Sequence, residues 1–118
     1  MSINPLKSEK ILHFNNEVEY KARMSIDTIV RIEQTLGVSI LFVASSLSEA
    51  KLTLTQMIQI ITLAIRAGGN DVKEKDVKKL ISGIGLVEAV TMCTELITLS
   101  LNVPDEDMED EKKSEELS

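Results

Sequence analysis

Leu63 to Glu74, "LAIRAGGNDVKE", decides how the rest of the chain is read. An apolar run at helical spacing stops at Ala67, two glycines follow, and Asn70 and Asp71 lead into charged residues. A phosphate-cradling loop precedes its helix and supplies a lysine followed by serine or threonine. Here the glycines follow a helix and bring neither, so they mark the break between two helices. A helix-closing residue in the left-handed region is best met by glycine, which places it at Gly68 with Gly69 beyond. "GIGLVE", Gly83 to Glu88, fails as a dinucleotide fingerprint for a similar reason. The fingerprint needs a strand before it and Gly or Ala at its third marked position, where this chain has Glu88 behind a lysine-rich helix.

The segments on either side take their places from that break. "TLTQ", Thr53 to Gln56, has the form of a capping box that opens the third helix. Leu54, Met57, Ile58, Ile61 and Ile65 share one face of it, and Ile60 and Leu63 widen that face, which makes this helix central. Gln59, Thr62 and Arg66 are expected outward. Asp71, with Glu74 three residues on, offers the cap of a fourth helix that turns Val77, Leu80, Ile81 and Ile84 inward. Gly85 separates it from a fifth, with Val90, Cys93, Leu96, Ile97 and Leu101 inward. Upstream, Ser25 caps a first helix bearing Ile26, Ile29, Val30 and Leu36 and closed by Gly37. "SILFVASSL" reads as a buried second helix of two turns.

Before these helices, "EKILHFNNEVEYKARM" reads as a hairpin turning at Asn15-Asn16. A three-residue loop, Asn15 to Glu17, sets Phe14 opposite Val18 and Leu12 opposite Tyr20, with Ala22 on the same apolar face. A slip by one residue would turn that set toward solvent. The loop places Glu17 where a left-handed residue is favoured. The expected fold is mainly α, in the α+β class: an N-terminal hairpin packed on a bundle of about five short helices. Residues 1–8 form a loose arm, 9–103 one domain, and 104–118 a disordered acidic tail.

Composition sets the outer limits. The chain has 118 residues, 43% of them hydrophobic, enough for one domain with one core. Its aromatic residues are Phe14, Tyr20 and Phe42, so the core is aliphatic, which suits helices. From Pro104 onward eight acids oppose Lys112 and Lys113, which gives −6, the whole net charge of the chain. The body is therefore neutral and lacks the basic footprint of a nucleic-acid binder. Cys93 is the sole cysteine, and neither a signal h-region nor an apolar run of membrane length occurs. A soluble, cytosolic protein is expected.

Candidate chemistry is sparse. His13 is the only histidine, with no second ligand at metal spacing, and a Cys93–His13 pair has no orienting third group. Glu88 and Glu95 are seven residues apart on one helix, too distant for acid–base work. No catalytic, metal or cofactor residues are expected, and no small-molecule substrate. Broad aliphatic stripes with five methionines are either spent on the domain's own core or suit docking to other proteins. Met57, Ile60, Leu63, Val87 and Met92 are the candidates for partner contact, and self-association is a further expectation.

"SIDTIVRIEQTLG" after a hairpin, "LAIRAGG" closing a threonine-started helix, and "GIGLVEAV" before a long aliphatic helix occur in one order. In this the chain resembles the small tail proteins of gene transfer agents and related prophages, a group labelled gene-transfer-agent tail tube protein. The resemblance spans Ile11 to Leu101 and implies a role in tail morphogenesis beside the tape-measure and tail tube proteins. Tube subunits are β-rich because they close a ring of strands. A helical chain of this kind fits a tail assembly chaperone that covers apolar helices of the tape measure. A structural tube or terminator component, which would place the chain in the virion tail instead of the bacterial cytoplasm, is the alternative, and a helical adaptor unrelated to phage a third.

Overall fold

The computed structural model describes residues 8–15 and 17–102. In chain order these form β1 (Glu9–His13), β2 (Glu19–Arg23), α1 (Ile26–Leu36), α2 (Ile40–Ser48), α3 (Leu54–Ala67), α4 (Glu74–Ile84) and α5 (Leu86–Leu101). A hairpin packed on helices is thus the architecture. The tail expected over 104–118 lies outside the described residues, as does the arm except for Ser8. Ser8 is buried, and its carbonyl accepts from the Met24 N–H at 2.7 Å.

Alternating side chains set the hairpin register. Leu12 lies opposite Tyr20 and Lys10 opposite Ala22. The Phe14 N–H donates to the Val18 carbonyl at 2.7 Å, closing the three-residue loop. Leu12, Phe14 and Ala22 are all buried, which a one-residue slip would undo. Glu17 takes φ 63°, the left-handed conformation this loop demands. Phe14 and Tyr20 meet edge to face with ring centroids 6.1 Å apart. From the loop, the Asn15 amide donates to the Gly83 carbonyl and ties the hairpin to the end of α4.

α3 is the axis of the core. The Thr53 hydroxyl accepts from the Gln56 N–H at 3.1 Å, and the Gln56 side chain accepts from the Thr53 N–H at 2.9 Å. The capping box is therefore complete and fixes where the helix begins. β2, α1, α4 and α5 all pack against α3. Its buried residues are Met57, Ile58, Ile60, Ile61, Thr62, Ala64 and Ile65. Thr62, expected outward, lies inside because its hydroxyl donates to the Ile58 carbonyl at 2.7 Å and leaves no unsatisfied group.

At the end of α3 the expectation needs correction. Gly68 is right-handed, at φ −77°, and the left-handed residue is Gly69, at φ 101°. Gly68 is glycine because of proximity: an added Cβ would sit 1.9 Å from the Lys21 carbonyl oxygen and 3.2 Å from the Ala22 Cα. Asn70 completes the joint, its amide donating to the Lys21 carbonyl at 2.9 Å and to the Ile65 carbonyl at 3.1 Å. Antiparallel hydrogen bonding alternates, and the Phe14–Val18 and Ser8–Met24 bonds make Ile11–Lys21 a non-bonded pair. The Lys21 carbonyl therefore points away from β1, and the end of α3 closes the outer edge of β2.

Gly37, at φ 75°, ends α1 as expected, and Gly85, at φ 92°, lets the chain bend by 119° between α4 and α5. α4 does not start at an Asp71 cap. It starts after Lys73, whose N–H is bound by the Asp76 carboxylate at 2.9 Å. Two apolar stripes are rotated from their expected positions. α1 buries Thr28, Ile29 and Ile32, leaving Ile26 and Val30 exposed. α5 buries Ala89, Met92, Cys93, Leu96, Ile97 and Ser100, leaving Val90 and Leu101 exposed. Both carry more apolar residues than one face can bury, and small side chains such as Ala89 and Ser100 suit the closely packed side.

Candidate interaction surface

α2 departs furthest from its expected place. Ile40 to Val43 are four consecutive apolar residues, and a helix turns about 100° per residue, so they point all the way round it. Packed between α1 and α5, α2 buries only Val43 and Ser46. Leu41 is 68% exposed and Phe42 58%. Their positions are nonetheless well fixed. The Ser39 hydroxyl accepts from the Phe42 N–H at 3.1 Å, and the Glu33 carboxylate of α1 accepts from the Ile40 N–H at 2.9 Å. Beside this start lies an open groove of about 340 Å³ lined by Val30, Glu33, Gln34, Gly37, Val38 and Ser39.

α5 adds to the same character. Its first turn follows the Gly85 bend and carries Leu86, Val87 and Val90 outward, with Val87 77% exposed. Large apolar side chains on solvent cost free energy unless something covers them, and their accumulation marks interaction sites. Through α2 the three helices bearing them are joined.

The five expected contact residues divide sharply. Val87 is exposed, and Leu63 is half-buried on the wall of a separate cavity with Arg23, Arg31 and Arg66. Met57, Ile60 and Met92 are core residues, because the wide apolar face of α3 and the inward face of α5 are spent on each other and on β2. No partner reaches them in the folded chain. Leu41 and Phe42 were missed because a short continuous apolar run is equally consistent with a buried segment, and periodicity alone does not say which of its side chains are covered.

The structure places little chemistry together. Cys93 is buried, its thiol donating to the Met57 carbonyl at 3.8 Å, and burial pushes its pKa up to about 12. A thiol so desolvated supplies almost no thiolate at neutral pH. His13 sits exposed on β1 with Nδ1 3.1 Å from the Glu19 carboxylate. Glu88 and Glu95 line one shallow groove of about 220 Å³ beside β1, with Lys10 3.4 Å from Glu95. Among the described residues no group of three or more His, Cys, Asp or Glu could hold a metal ion. No single helix among them is long and apolar enough to cross a membrane.

The described residues thus form a hairpin-backed helical domain with large apolar side chains exposed on α1, α2 and α5. Residues 10–102 match the family described as "Phage tail tube protein, GTA-gp10", and the chain belongs to that family. The resemblance carried by "RIEQTLG", "RAGG" and "GIGLVEAV" falls inside the matched region. No curated protein and no solved structure matches the chain.

Proposed function

We propose that this phage-tail family member acts as a tail assembly chaperone, binding the tape-measure or tube protein in the bacterial cytoplasm without a catalytic step. The closed edge of β2 carries this reading. A ring of strands requires each subunit to offer a free edge to its neighbour. Here the Lys21 carbonyl is held by Asn70, and Gly68 lies against the strand where a neighbour's backbone would pair. Leu41, Phe42, Leu86 and Val87 offer helical anchors for an apolar partner segment instead.

Incorporation into the particle as a structural subunit is the second reading, and the family's own description favours it. Such a subunit would contact its neighbours through α2 and α5, not through strands. Both readings share a test in co-expression of the full chain with the tape-measure and tube proteins. Co-purification should survive about 0.5 M salt, which screens surface charges, and fail for the triple variant Leu41→Ser/Phe42→Ser/Val87→Ser. Undiminished capture by that variant would show that this surface is not the contact.

A further inference from the structure

A second surface, unlike the first in chemistry, lies where β2 ends, α1 begins and α3 ends. Arg23, Arg31 and Arg66 line a cavity there of about 440 Å³, together with the Ser25 and Thr28 hydroxyls and one acid, Asp27. Arg31 and Arg66 set two guanidinium groups against the one carboxylate of the lining, a local excess of positive charge. Arg31 and Arg66 form no ion pair among the described residues. Arg66 lies in the last turn of α3, where a cation offsets the helix dipole. Arg31, in the middle of α1, has no such role. Guanidinium groups pair with carboxylates through two parallel hydrogen bonds, so such side chains suit planar oxyanions.

We propose that this cavity binds a carboxylate-rich peptide segment, and that the run Asp105–Glu111 of this same chain is the one it takes. That run holds six acids around a single apolar residue, Met108, and the cavity wall offers Leu63 and Ala67 beside its arginines. The described chain ends at Asn102, which lines a groove with Glu9 and Lys10. Glu9 is the register partner of Arg23, so that groove and the cavity each touch the open end of the hairpin, one at β1 and one at β2. Nine extended residues span about 30 Å, ample for Glu111 to reach. The proposal is independent of the chaperone reading.

A spin label tests it on the full chain. Ser114→Cys gives an attachment site, since Cys93 is buried and its thiol unreactive. At about 20 mM salt the label should broaden the amide signals of Arg31 and Arg66. That broadening should fall at least about fivefold at 0.5 M salt. It should fall equally in Arg31→Gln/Arg66→Gln, and when the six acids of 105–111 become amides. The amide substitutions change none of the described residues, so they decide the matter even if the arginine variant folds poorly. No broadening at low salt, or broadening that persists without the acids, overturns the proposal. Broadening only between labelled and unlabelled copies assigns the ligand to a second molecule and overturns the intrachain assignment. Tighter competition by an oligothymidylate than by a free acidic peptide would make the cavity a phosphate site instead.

Discussion

α2 and α3 are both apolar helices, yet one lies on the surface and the other fills the core. In α3 the large apolar residues recur at helical spacing and meet β2, α1, α4 and α5 on successive sides. In α2 they are consecutive, and α1 and α5 are the elements that chiefly pack against it. Apolar content alone therefore says little about burial. Burial follows from period, and from how many neighbours the chain brings to the helix.

The largest effects should come from the end of α3. Gly68→Ala drives a methyl group into the Lys21 backbone carbonyl, and backbone cannot rotate away as a side chain would. A loss of about 3 kcal/mol or more is expected in urea unfolding, at or beyond the upper end for overpacking. Gly69→Ala has open space and only the cost of its φ, so it should lose about 1–2 kcal/mol. Equal losses would mean that the close approach to β2 is not what selects Gly68. Ile61→Ala, in the fully buried face of α3, should lose about 2–5 kcal/mol by the same measurement.

A smaller effect should appear at alkaline pH, where Cys93 of α5 meets the α3 backbone. Its folded pKa is raised, to about 12, above its ordinary value of 9.0. Its contribution is therefore complete below pH 9.0 and is lost as pH rises from there through about 12. Near pH 10 the loss should be about 1 kcal/mol relative to neutral pH, and Cys93→Ala should remove that slope. An identical slope in the variant would show that the thiol is not held in a dry site.

The smallest effect belongs to α2. Leu41→Ala and Phe42→Ala should each change stability by only about 0.5 kcal/mol, since surface substitutions leave no cavity. A loss near that of Ile61→Ala would show α2 to be covered by the body and would erase the contrast between the helices.

How far the sequence revealed these features varied with their physical origin. Register came from alternation among Leu12, Phe14, Tyr20 and Ala22, and the α3 start from Thr53 and Gln56, both local patterns. Gly68 was assigned a left-handed conformation because local rules see only the helix end. Its true constraint is Lys21, forty-seven positions away in sequence and invisible to any local rule. Met57, Ile60 and Met92 were offered for partner contact, and α2 was placed inside the core, for a related reason. Which of several apolar faces is covered depends on neighbours that periodicity does not name. The arginine cavity assembles from three separate elements and leaves no signature along the chain.

The central claim is that this family member helps build the tail through its exposed helices without staying in it. Quantitative mass spectrometry of purified particles tests that most directly, with the lysate that produced them as the positive control. The chaperone account predicts that the chain is abundant in the lysate and absent from finished particles. A fixed number of copies per particle would contradict it and establish the structural reading that the family description favours.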